Sequence, residues 1–201
     1  RALAHVEPLL VSALSHDISE RDIRDELELM MRRFGADGPS YETIVATGPN
    51  SALPHHRPTT SLLREGHSVV IDVGALVDGY HSDMTRTYLL GDCDPELVRM
   101  HQLVIEAQSH GVRAVRAGVA ASEVDGVCRE IFDRHGIGHE FSHGTGHGVG
   151  LQIHEMPWLR KNAKEPLTAG EVVTVEPGLY RVGLGGVRIE DLVLVESTGC
   201  H

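Results

Sequence analysis

Apolar and polar positions follow two periods along the chain, and their succession occurs twice. Residues 2 to about 15 place Leu3, Val6, Leu9, Leu10 and Leu14 on one stripe at helical spacing. Ser19-Glu-Arg-Asp22 has the form of a capping box, with Asp where Glu is usual. It opens a second helix whose apolar positions are Ile23, Leu27, Met30, Met31 and Phe34, and Gly35 stops it. Glu42 to Thr47 predicts a short strand, followed by the turn residues Gly48-Pro-Asn-Ser. Val69-Val-Ile-Asp-Val73 predicts a buried strand and Gly79 to Leu90 a hairpin arm. A long helix follows Pro95 to about Ala117, where Gly118 ends it.

The pattern then returns. Ser122-Glu-Val-Asp125 predicts a second capping box, opening a helix to Arg134 with Gly136 as its stop. Gly170-Glu-Val-Val-Thr-Val-Glu176 mirrors Gly66-His-Ser-Val-Val-Ile-Asp72. The interval from capping serine to acid is 53 residues from Ser19 to Asp72 and 54 from Ser122 to Glu176. The strand-like run from Val187 to Val195 echoes the arm around Asp83. Chance likeness of two helix-then-strand segments is the alternative, but period and acidic residue type agree together. The expectation is an α+β chain built by internal duplication: one domain over 1–201, with pseudo-symmetric halves of about 1–117 and 118–201. Each half is helices followed by antiparallel sheet.

Composition narrows the partners. At 201 residues the chain suits one domain, and with aromatics at only 4% its core must rest on Val, Leu, Ile and Ala. A net charge of -11 disfavours nucleic acid and anionic membrane, and is compatible with carboxylates gathered around cations. No apolar run approaches the roughly 20 residues that span a bilayer, and no signal peptide is evident. Cys93, Cys128 and Cys200 are odd in number and far apart, which argues against a disulfide framework and a thiolate zinc site and toward a reducing, cytoplasmic setting. Arg1 in place of Met, and an end just after a strand-like run, point to part of a longer protein.

The chemistry concentrates in Phe141-Ser-His-Gly-Thr-Gly-His-Gly-Val-Gly-Leu-Gln-Ile-His154, which sets His143, His147 and His154 among glycines. Glycines beside His147 would let the backbone pass close to a bound ion, where a Cβ would crowd. A phosphate-binding loop is rejected, because no Lys-Ser/Thr follows and the spacing is wrong. Asp72, Glu176 and Glu190 lie within apolar strand-like runs, where an unpaired charge is costly. Asp72 and Asp83, eleven residues apart, are expected on successive strands of one hairpin, with side chains about 5 Å apart. A salt bridge would account for any one acid alone; four acids in matched half-positions favour cations. One imidazole among carboxylates suits Mn²⁺, Co²⁺, Fe²⁺ or Zn²⁺. Two such ions activate water at neutral pH and polarise a scissile carbonyl.

These residues resemble the creatinase/methionine aminopeptidase superfamily, and within it the Xaa-Pro peptidases, aminopeptidase P and prolidase. The matching pieces are Gly-Pro-Asn-Ser-Ala-Leu-Pro-His55, Ile-Asp72-Val-Gly, Ser-Asp83-Met-Thr-Arg-Thr, His143-Gly-Thr-Gly-His147, His154-Glu, Glu176-Pro-Gly-x-Tyr and Gly-Val-Arg188-Ile-Glu190-Asp. The resemblance implies a duplicated pita-bread fold around a dinuclear metal site, with Mn²⁺ or Co²⁺ ahead of Zn²⁺ or Fe²⁺. It implies Asp72 on one metal, Asp83 and Glu190 bridging, and His147 and Glu176 on the other, with Glu176 also shuttling protons. His55, His143 and His154 match histidines that contact substrate and transition state, and Arg188 would tie down carboxylates. The implied substrates are peptides with proline second, cleaved as by an Xaa-Pro aminopeptidase; a homodimer is compatible. Prolidase is the first alternative, then methionine aminopeptidase, then a non-catalytic peptide-binding module of the same fold. Trp158 follows His154-Glu-Met-Pro, where prolidases often carry an Arg for the dipeptide carboxylate, and Arg160 comes two places later; this leans toward the aminopeptidase. The N-terminal domain usual in this family is absent from the chain.

Overall fold

A computed structural model describes residues 1–201. Helix α1 (Ala2–Ser12) precedes α2 (Glu20–Arg33). Ser19 caps α2 through the expected box: Asp22 N–H donates to the Ser19 hydroxyl and Ser19 N–H to the Asp22 carboxylate. Then come β1 (Gly38–Pro39), β2 (Ile44–Thr47), a 3₁₀ turn (Gly48–Ala52), β3 (Ser68–Asp72), β4 (Ala75–Val77), β5 (Tyr80–His81) and β6 (Thr85–Leu89). The second series is α3 (Pro95–Ala114), α4 (Ala121–Arg134), a 3₁₀ turn (Gly138–Glu140), β7 (Gly146–Gly148), β8 (Glu155–Leu159), β9 (Val172–Val175), β10 (Gly178–Arg181), β11 (Gly185–Arg188) and β12 (Asp191–Leu194). No helix is long and apolar enough to cross a membrane.

The two series share a plan. In the first, β2, β3 and β6 form an antiparallel sheet in that order; in the second, β7, β9 and β12 do the same, with β8 added outside β7. A short hairpin interrupts each at the same point, β4–β5 between β3 and β6, and β10–β11 between β9 and β12. Helices α1 and α2 pack Val6, Leu10, Ile23 and Leu27 on Val45, Val69 and Ile71. Helices α3 and α4 pack Leu97, Met100, Ile131 and Phe132 on Leu179 and Val187, and Val124 on Val173 and Val175. Helix α3 packs on α4 as α1 packs on α2.

Several local expectations change. Helix α3 stops at Ala114, and Val115 already has extended dihedrals, so Gly118 lies beyond the end it was expected to make. Helix α4 starts from Ala120 with no side-chain cap; Asp125 is fully buried and turned toward another loop. The run from Val187 to Val195 is two strands, broken at Ile189 and Glu190. Asp72 closes β3, but Asp83 lies in the link before β6, and the β4–β5 excursion separates them, so they do not face each other across a simple hairpin.

The glycines beside His147 answer to the sheet. A Cβ at Gly146 would lie 2.0 Å from the Thr174 carbonyl oxygen, and one at Gly148 would lie 2.2 Å from that of Met156. Strand β7 is squeezed between β8 and β9, so it is neighbouring backbone that excludes a side chain. Gly146→Ala should therefore cost about 1–3 kcal/mol of stability through forced strand displacement; urea unfolding with an unchanged midpoint would refute this packing account.

Candidate metal centre

The ends of these strands meet in a cavity of about 560 Å³, whose lining includes Asp72, Asp83, His147, Glu176, Glu190 and Arg188. All five expected ligands and the expected arginine thus reach one space. Ligand atoms of Asp83, His147 and Glu190 lie within 4.8 Å of one another. Glu176 joins them through His147, whose Nε2 is 3.3 Å from its carboxylate and 3.6 Å from that of Asp83. Asp72 is turned partly aside, accepting from Arg188 Nη2 at 2.6 Å and from the Tyr41 hydroxyl.

Three features fit cations at this point. Both hydrogen-bonding sites of His147 are set by its neighbours: Nδ1 contacts the Gly148 carbonyl at 3.0 Å, and a carbonyl only accepts, so Nδ1 carries the hydrogen. A neutral ring then aims the Nε2 lone pair at two carboxylates, which repels them unless a proton or metal intervenes; ligating histidines commonly anchor the other nitrogen this way. Glu190 is buried, with Oε2 accepting from the Thr85 hydroxyl at 2.6 Å and Oε1 having no partner. Tyr41 has one hydroxyl proton but touches carboxylate oxygens of both Asp72 and Asp83. Two ionised carboxylates about 4 Å apart would repel by about 4 kcal/mol at an effective dielectric of about 20.

The ionisation of these groups reflects that crowding. Burial, then repulsion from Glu176 and the two aspartates, pushes Glu190 well above the carboxylate range. Burial and Asp72 raise Asp83 to about 7. Burial works against ionised Glu176, but the hydrogen bond from His147 and nearby positive charge hold it low. Burial opposes a charged His147, yet the Glu176 carboxylate prevails and raises its pKa. Arg188 is fixed as a cation: besides Asp72 it donates to the Tyr180 hydroxyl at 2.8 Å and to Thr85 Oγ1 at 3.2 Å.

The remaining expected residues are arranged unequally. His55 lines the cavity. His154 also lines it, edge-on to His147 at 4.4 Å and stacked with Trp158 at 6.3 Å; burial and His147 lower its pKa. His143 has both nitrogens engaged, Nδ1 donating to the Gly144 carbonyl at 2.8 Å and Nε2 accepting from the Tyr180 hydroxyl at 2.8 Å. It lines the cavity as His55 and His154 do, and through Nε2 it also holds Tyr180. Tyr41 and His56 reach the cavity and were not foreseen; Tyr41 lies outside every motif, and only the packing of residues 38–44 beside β3 carries it there. Arg160 also lines it, its guanidinium 5.5 Å above the Trp158 ring and unpaired with any carboxylate.

The profile of metallopeptidase family M24 matches residues 1–197. The chain belongs to metallopeptidase family M24. Family M24 membership is supported by close relatives. The chain is 43% identical over 180 residues to an Xaa-Pro dipeptidase of Pyrococcus furiosus, covering 90% of this chain and 52% of that protein. The structure of prolidase from Pyrococcus furiosus superposes with a TM-score of 0.94 at 38% identity, covering 100% of this chain and 59% of that one. That of an X-Pro aminopeptidase from Thermotoga maritima gives 0.92 at 36%, covering 100% and 57%. The M24 chain therefore has the pita-bread fold, and spans about half the length of the curated relatives it matches.

Glu190 and Asp83 hold protons more tightly folded than unfolded. Their contribution to stability is complete at low pH and is lost as pH rises, for Asp83 between its ordinary 3.8 and about 7. Glu176, held low, acts in the opposite sense. In chelator the M24 chain should lose thermal stability from about pH 5 to pH 8, and Glu190→Gln should flatten that loss; a wild-type Tm that climbs across the range would contradict the assignment.

Proposed function

We propose that this M24 chain carries the catalytic site of an Xaa-Pro dipeptidase, which hydrolyses the bond between an N-terminal residue and proline. Asp72, Asp83, His147, Glu176 and Glu190 would hold two divalent cations, Mn²⁺ or Co²⁺ by the oxygen-rich donor set. When bound, such ions supply Lewis-acid polarisation of the scissile carbonyl and activation of water at neutral pH. Glu176 stays ionised beside His147 and is placed to accept a proton and return it to the departing amine. Arg188 and Tyr41 hold Asp72 in place. His154 and His55 face the cavity, where an N–H can stabilise developing negative charge. The stacked His154 and Trp158 rings offer an apolar wall for a proline ring.

Arg160 carries the choice of a dipeptide over a longer peptide. An unpaired guanidinium lining the same cavity as the acids suits the free carboxylate that only a dipeptide presents immediately after proline. The sequence alone leans toward an aminopeptidase because Trp158 occupies the place of the usual arginine; Arg160, two residues on, lines the same cavity. The relatives called Xaa-Pro dipeptidase, at 43% and 38% identity, support the same reading.

The aminopeptidase, first on the sequence alone, becomes the second reading, on the likeness to the Thermotoga maritima structure. Steady-state kinetics on Mn²⁺-loaded protein separates them. A dipeptide such as Met-Pro should exceed Met-Pro-Ala in kcat/KM. Arg160→Ala should lower the dipeptide value roughly tenfold to a hundredfold, as for a lost charge-assisted hydrogen bond, and leave a C-terminal amide nearly unchanged. Faster cleavage of the longer peptide, with Arg160→Ala indifferent, would favour the aminopeptidase.

A further inference from the structure

Asp125 resembles a helix cap in the sequence, but its actual partners lie on the histidine loop. Its side chain is buried on α4. Oδ1 accepts from the Thr145 N–H at 3.1 Å and from the Thr145 hydroxyl at 3.0 Å. Arg129, one turn along α4, grips both carboxylate oxygens, with Nε at 2.7 Å and Nη2 at 3.1 Å. The rest of that guanidinium points into the same loop. Nη1 donates to the Phe141 carbonyl at 3.2 Å, Nη2 donates to the His143 carbonyl, and the group lies 4.3 Å above the Phe141 ring.

The pair therefore holds three alternate residues, Phe141, His143 and Thr145. Two metal-ligand positions depend on where Thr145 sits. His147 follows it by two residues on β7, and Glu176 N–H donates to the Thr145 carbonyl at 2.7 Å. Neither Asp125 nor Arg129 lines the cavity that holds the acids. A buried ion pair contributes little net stability against an apolar substitute of the same shape, so geometric specification is the better account of its presence.

We propose that Asp125 and Arg129 form a positioning clamp that sets His147 and Glu176 in register with Asp83 and Glu190, and so sets cation affinity. This rests on the two-cation reading of the site. The first half contains a control. Buried Glu20, on α2, accepts from Thr47 N–H at 2.9 Å, Asn50 at 3.0 Å, His56 at 2.8 Å and the Thr59 N–H at 2.8 Å, and so pins the loop bearing His55 and His56, which holds none of the five ligands.

The test is calorimetric titration of chelator-stripped protein with Mn²⁺, at a temperature where each variant is folded. Asp125→Asn keeps the shape and loses the charge that orders Arg129. It should bind roughly tenfold to a hundredfold more weakly, the usual cost of disturbing groups that orient metal ligands. Glu20→Gln should lose thermal stability yet keep wild-type affinity. If Asp125→Asn does not fold, Arg129→Lys, which keeps the charge and loses the fork to the two carbonyls, should show the same weakening. Unchanged affinity in the folded clamp variants, or equal weakening in Glu20→Gln, would overturn the clamp and leave the metal site standing. Wild-type protein that takes up no cation would overturn both.

Discussion

Asp72, Asp83, Glu176 and Glu190 share one cavity with a single buried guanidinium, and that imbalance governs the rest of the site. Arg188 spends its donors on Asp72, Tyr180 and Thr85, and it neutralises only one acid. Glu190 is left with a bare oxygen, and His147 aims Nε2 at two carboxylates, where a proton or a cation must intervene. Such an arrangement persists only because backbone pairing imposes it. Asp72 is fixed by its register with Thr85, and Glu190 by its N–H bond to the Thr85 carbonyl at 3.1 Å. Protonation of Asp83 and Glu190 relieves the charge when cations are lacking. Cations held by all the acids at once would relieve it better.

The duplicated architecture explains how the acids converge without a dedicated loop. Each half ends its central strand in an acid and sends the chain on a short hairpin before returning to the sheet. Asp72 and Glu176 therefore arrive from opposite sides, and Asp83 and Glu190 follow after each excursion. Hydrogen bonds then bind the halves across the join: Thr85 to Glu190, Thr87 to the Arg188 carbonyl and Arg86 to Asp191. The halves solve the loop problem differently. Glu20 works without an arginine, through backbone N–H groups and the Asn50, His56 and Thr59 side chains, whereas Asp125 works through Arg129. Duplication has preserved the strand plan while the fastening residues diverged.

The helices, the strands and the acids and histidine that meet in the cavity were legible in the sequence because each has a local signal or repeats at a fixed interval. The α2 capping box was read correctly, since Ser19 and Asp22 meet within one helical turn. The same letters at Ser122 and Asp125 misled, because the Thr145 and Arg129 groups that capture Asp125 lie twenty residues away and on the next helical turn. The glycine run was recognised, but the reason for it depends on β8 and β9 flanking β7, which no local pattern records. Tyr41 carries no motif at all. Arg160 could be seen in the sequence, yet whether it reached the cavity depended on the path of β8 and the chain just after it.

The site also forms a continuous chain of donors, which limits how single substitutions can be interpreted. Asp72 accepts from Arg188, Arg188 donates to Tyr180, Tyr180 donates to His143, and the His143 carbonyl accepts from Arg129, which holds Asp125. The series runs from an acid of the first half to a helix of the second and passes beside Glu176. Each link fixes the proton of the next: Arg188 can only donate, so the Tyr180 oxygen accepts from it and turns its own proton to His143, whose other nitrogen must then face the Gly144 carbonyl. Removing one member would unsettle the direction of its neighbours as well as one contact, and coupling between residues in one such network is commonly 0.5–3 kcal/mol. His143 thus lines the cavity and is also a link in this series. The energies of its members are properties of the whole network, which only paired substitutions can apportion.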